Sequence, residues 1–214
     1  MNRIANTASI ALVALTATAG TASAGDIRSS VVKSHPSQGE VATVADATAR
    51  MQTNKDGIFV NFETNGLTPG NVHTLWLVTI NEPGACETVP CTSKDVLKRT
   101  DAVKADVGYA GGIIPGENGM GSFAAFQPMG KLNGSWFSDG LMGTDNLEVH
   151  LVINDHGPAI EGMTGEMLST YRAGCTDESI PGPMPATARA DGTAGPNQCR
   201  LVQFSIFQPE DTNS

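Results

Sequence analysis

Residues 72–81 read "VHTLWLVTIN", and how that run is placed decides the fold. Extended backbone sends successive side chains to opposite faces. Val72, Thr74, Trp76, Val78 and Ile80 therefore share one face, and His73, Leu75, Leu77 and Thr79 the other. Both faces are apolar, so the run predicts a strand placed centrally in a sheet, or one whose outer face is covered by a loop. It is bracketed by turn clusters, "GLTPG" at 66–70 and "NEPG" at 81–84.

Working outward, the same period of two recurs. "GIFVNFETN" at 57–65 puts Ile58, Val60, Phe62 and Thr64 on one side and Phe59, Asn61, Glu63 and Asn65 on the other, one face buried and one wet. "ATARMQT" at 47–53 precedes it across "NKDG", with Asp56-Gly57 supplying a hairpin turn. Residues 105–128 read as two strands joined at residues 115–119, and "NLEVHLVIN" at 146–154 as a strong strand. The last strand lies in "CRLVQFSIFQP", whose alternation groups Val202, Phe204 and Ile206. The one clear helix signal is "TSKDVLKR", residues 92–99, with Thr92 or Ser93 as N-cap. A further helical turn is expected around residues 166–170. Seven to nine short strands, with at most one or two short helices, predict an all-β antiparallel β-sandwich or a partly open barrel. Residues 46–208 form that single domain. Residues 25–45 add an N-terminal arm or edge strand, 176–198 are a Pro/Gly-rich loop excursion, and 209–214 a frayed tail.

Residues 1–24 carry Arg3, an apolar stretch and Ala22-Ser23-Ala24, the pattern of a secretory signal peptide with an A-x-A cleavage site. The stretch is too short to span a bilayer comfortably, so a soluble exported protein, periplasmic or extracellular, is expected, with no stable membrane insertion. The chain has 13 basic and 22 acidic side chains, a formal charge of −9. Such a surface repels nucleic acid and anionic membranes and favours solubility. Four cysteines in an exported chain read as disulfides, and Cys86–Cys91 with Cys175–Cys199 is the favoured pairing because each pair brackets a loop-like segment.

"GLTPG", "HTLWLVTINEPGAC" and "EVHLVINDHGPAI" together resemble a group of exported bacterial proteins known mainly as uncharacterised hypothetical sequences. The resemblance covers residues 57–171 and the last Cys-containing strand. It implies an exported β-rich domain and brings no activity with it.

The residues that could carry chemistry are few. His150 and His156 share parity with Glu148, and a strand that persists between them would hold them roughly 20 Å apart. Only a reversal at Asn154-Asp155 would join them. With His73 from a neighbouring strand and a carboxylate, Glu148 or Asp155, they would make an N/O set suited to zinc or copper. The plainer alternative leaves His150 half-buried and hydrogen-bonded, with His156-Gly157-Pro158 building a turn. Acidic loops at Asp145, Asp177 and Asp191 lack any calcium-loop pattern. Among catalytic motifs, G-x-S-x-G, H-E-x-x-H and S-x-x-K are absent, leaving a hydrolase triad of Asp155, His156 and an unspecified serine as a formal option. Trp76 is expected in the core, and Trp136, in the polar loop "LNGSWFSDG", as an exposed contact. The reading favoured on these grounds is a disulfide-stapled binding or structural module, its partner an unknown protein or small-molecule ligand. A metal-binding protein using His150 and His156 is the first alternative and a secreted hydrolase the second.

Overall fold

The computed structural model describes Gly25 and residues 27–209. The proposed leader, residues 1–24, and all but the first residue of the proposed frayed tail lie outside them.

Eight strands build one antiparallel sheet: β1 (Ile27–Ser34), β2 (Thr43–Asn54), β3 (Gly57–Thr64), β4 (Asn71–Ile80), β5 (Ala105–Ile113), β6 (Gly121–Pro128), β7 (Glu148–Pro158) and β8 (Arg200–Phe207). Their order is β5-β4-β7-β8-β1-β2-β3-β6. The two terminal strands, β5 and β6, come back against each other, so the sheet is a nearly closed barrel. Of the two expected all-β forms, the partly open barrel is the one realised.

The parity read from the sequence decides what lies inside. Ile58, Val60 and Phe62 of β3 point inward with Leu75 and Leu77 of β4 and Leu151 and Ile153 of β7, and this cluster fills the barrel. Each such side chain, taken fully out of water, stabilises the fold by roughly 1.5–3 kcal/mol. Strand β4 is buried from Val72 to Ile80 on both faces, as its sequence demands. It sits between β5 and β7, and its outward face carries Trp76 and Val78 into a second apolar cluster under a cover of loops. That cover comprises α1 (Ser93–Lys98), α2 (Thr100–Val103), α3 (Thr164–Met167), α4 (Ala186–Arg189) and the loops around them. Both favoured disulfides, Cys86–Cys91 and Cys175–Cys199, are present and staple the cover. No described helix is long and apolar enough to cross a membrane.

Three details differ from expectation. First, β1 is neither an arm nor an edge: it lies between β8 and β2 and ladders with both. Second, a bulge in β8 beside Ile153/Asn154 separates Val202 from Phe204 and Ile206. Val202 packs on the barrel core, whereas Gln203, Ser205 and Phe207 are the buried residues beyond it. Third, residues 176–198 are not merely a loop. They include α4, and Ile180 and Ala188 are buried against the outer cluster. Apolar residues spaced too widely to register as a periodic element nonetheless supply enough contact to fix the segment.

Candidate functional site: a cavity between barrel and cover

The cover does not press flat on the barrel. Trp76 and Val78 of β4, Val152 of β7 and Phe204 and Ile206 of β8 form the floor of a cavity of about 620 Å³. Its other walls come from the Cys86–Cys91 loop, α1, Trp136, Tyr171 and Met184, and its rim includes His35 and Val89. Phe204 and Ile206, separated from the barrel core by the bulge, are thus given to this outer space.

Trp136 stands in one wall because of a single carboxylate. Asp106, buried on β5, accepts five hydrogen bonds. Oδ1 takes the N–H groups of Val107 (2.8 Å), Trp136 (3.1 Å) and Phe137 (2.9 Å). Oδ2 takes the Ser135 hydroxyl (2.7 Å) and the Gly140 N–H (2.9 Å). Gly140 has φ +69°, and a Cβ there would meet the Gly130 carbonyl at 2.3 Å, so the loop closes only with glycine. Wrapped on Asp106, the polar loop folds its tryptophan inward. Trp136 is 7% exposed, with its ring 5.4 Å from Trp76 and 4.8 Å from Tyr171. The expected exposed contact is therefore a buried cavity wall. Its burial leaves a donor unused: the indole Nε1–H of Trp136 has no hydrogen-bond partner. The Trp76 indole, by contrast, donates to the Thr74 hydroxyl at 2.8 Å.

The wall formed by α1 is fixed by another carboxylate. Asp95 accepts from the Glu87 and Thr92 N–H groups, from the Thr92 hydroxyl and from Arg99. Burial alone would push Asp95 upward, but those donors outweigh it and hold the carboxyl at about 2. A carboxyl held low stabilises the fold above its unfolded value near 3.8, and that contribution is lost as pH falls toward 2. Urea melts between pH 4.5 and 2 should show this slope in the native protein, and Asp95→Asn should flatten it.

The five candidate metal ligands do not gather in one place. Glu148 and His150, two apart on β7, form one pair: His150 Nε2–H donates to Glu148 Oε1 at 2.6 Å, and the same oxygen accepts the Cys91 N–H at 2.8 Å. This links β7 to the disulfide loop and leaves His150 half-buried in the cavity wall, as the plainer alternative has it. His73 and Asp155 form a second pair, directly opposite one another on β4 and β7. His156 stands alone. The strand persists through Pro158, so no reversal brings His156 back to His150, and His156 belongs to the strand rather than to a turn.

His156 is completely buried, and both ring nitrogens are engaged. Nδ1–H donates to the Ala173 carbonyl at 2.9 Å, and Nε2 accepts the Thr74 hydroxyl at 2.8 Å, with the Asn154 amide at 3.3 Å. Burial depresses its pKa to about 4, so the ring is neutral in this network. Among the described residues, one cluster of three potential metal ligands is present: His156, Cys175 and Cys199. The two sulfurs are joined in a disulfide and offer no thiolate. The sketched triad does not form either, since Asp155 and His156 project to opposite faces of β7.

Comparison with protein-family models, with curated proteins and with solved structures finds no match for this chain.

Proposed function

We propose that this chain is an exported binding protein for a small, neutral, mainly apolar molecule that carries one hydrogen-bond acceptor. The 620 Å³ cavity, walled mainly by apolar side chains and by Trp136, whose buried Nε1–H is unpaired, carries this reading. An indole N–H buried without a partner is costly, and a ligand oxygen would relieve it. The volume lies in the range of small-molecule sites, about 300–1,000 Å³, and such sites combine apolar walls with a few placed polar groups. Glu148 is not part of the cavity wall; it is turned to the His150 ring and the Cys91 N–H. The leader-like residues 1–24, the two disulfides and the resemblance to exported bacterial proteins support export.

Binding can be followed by displacement of the neutral probe N-phenyl-1-naphthylamine with aromatic ketones and with hydrocarbons of matched shape. Val152→Trp, which fills the floor, should abolish binding of both. Trp136→Phe keeps the apolar wall and removes the donor, so it should weaken the ketones by up to about tenfold, the worth of one hydrogen bond, and leave the hydrocarbons unchanged. Probe binding that survives Val152→Trp would place the ligand elsewhere. An equal loss for both ligand classes in Trp136→Phe would remove the acceptor from the description.

A further inference from the structure

His73 and Asp155 lie on the barrel's inner side and are independent of the outer cavity. Both are essentially buried, at 1% and 2% exposed. The His73 Nδ1–H donates to the Asn71 carbonyl at 3.2 Å, which leaves Nε2 as a lone pair. That nitrogen has no hydrogen-bond partner. The His73 side chain borders a cavity of about 240 Å³ lined by Asp155, Arg200, Gln203 and Thr68 and by the apolar Leu67 and Val202. Asp155 is held as firmly as His73: its Oδ1 accepts from Asn71 Nδ2 and from the Gly157 N–H, each at 2.9 Å. Gly157 makes that bond at φ +77°, where a Cβ would strike Asn197 at 2.9 Å.

We propose that His73 Nε2 and the Asp155 carboxylate hold a divalent transition-metal ion, with water from the adjoining cavity completing its coordination. Nε2 and Oδ1 are 3.8 Å apart. Two ligands bonded at about 2.1 Å to one ion are separated by roughly 3.4–3.8 Å as the angle between them opens from tetrahedral. The His73 hydrogen bond is the one a ligating histidine requires, and Asp155 Oδ1, which already takes two N–H groups, would bind the ion in place of the Asn71 amide. A metal-binding histidine donates its other N–H to a carbonyl, which fixes tautomer and ring orientation, and the ligating carboxylate is itself hydrogen-bonded. One group works against the ion. Arg200 Nη2 is 3.5 Å from Asp155 Oδ2, but its side chain is 53% exposed. It serves as the counter-ion of the metal-free pair and swings to solvent when the ion enters.

The test is calorimetric titration of the disulfide-intact chain with zinc chloride at pH 7.5. One equivalent should bind. His73→Gln and Asp155→Asn should each lower the affinity at least tenfold, whereas Arg200→Gln should raise it several-fold, because it removes the competing charge. No heat with the native chain overturns the proposal. So does zinc binding untouched by both ligand substitutions, or an affinity that falls in Arg200→Gln. Should a ligand variant fail to fold, the imidazole nitrogen NMR signals of the native chain decide instead. The His73 Nε2 resonance must move on zinc addition, and a stationary signal overturns the site.

Discussion

Asp106→Ala is expected to destabilise the protein by about 4–5 kcal/mol, among the largest effects a single substitution produces, and to abolish ligand binding in the outer cavity. The reason is arithmetic on donors. The carboxylate takes four backbone N–H groups and one hydroxyl from β5 and the 135–140 loop. Alanine leaves them with nothing to bind, and each buried orphan costs roughly 1–3 kcal/mol, less whatever water can reach. Asp106→Asn should fall between, since its amide can still accept through one oxygen but turns an NH₂ toward donors. Urea denaturation monitored by tryptophan fluorescence measures both, because Trp76 and Trp136 sit together under this loop. A loss below about 1 kcal/mol would show that apolar packing of Trp136 alone holds the loop, against the cost expected for unpaired donors.

The second large effect is acid lability at mildly acidic pH. His156 is neutral in the fold, with a pKa of about 4 against an ordinary 6.5, the depression being caused by burial. Below 6.5 the unfolded chain takes up a proton that the native chain refuses until pH 4. Stability is therefore intact above 6.5 and declines as pH falls from 6.5 to 4, by up to about 3 kcal/mol for a shift of this size. The refusal has a structural cause: a second N–H would confront the Thr74 hydroxyl and the Asn154 amide, both already donors to Nε2. Denaturant midpoints at pH 7, 5.5 and 4.5 measure the slope. His156→Gln should remove most of it while lowering stability at pH 7, leaving the smaller contribution of His73 and His35, which burial also depresses. A native profile flat over that range would mean that His156 protonates in place. The window lies above that of Asp95, so the two groups can be separated on one pH series.

Much of the barrel was legible in the sequence, and the physical reason is parity. Ile58, Val60 and Phe62 could point only to one side of an extended strand, and the two apolar faces of β4 required a covered, central position. Glu148 and His150, two apart, had to share a face. What parity cannot supply is register between distant strands. That His73 lies opposite Asp155, or that Asp106 collects the amides of residues thirty positions away, follows from pairings no local pattern encodes. Trp136 was misplaced for the same reason. Its neighbours Asn133, Ser135 and Ser138 are polar, and only the distant carboxylate turns the loop inward. The β8 bulge likewise hides in an unbroken alternation, yet it is what assigns Val202 to the barrel and Phe204 to the cavity.

The position of β8 has a consequence for biosynthesis. It is the last of the eight strands in sequence, and it hydrogen-bonds the block β5-β4-β7 to the block β1-β2-β3-β6. Until residues 200–207 emerge, those two blocks lack their hydrogen-bonded joint, and the edges of β7 and β1 stay open. Pairing over such long sequence separations is slow to nucleate. The same dependence makes any premature stop ahead of Arg200 a source of sticky, half-built sheets rather than of a smaller stable protein.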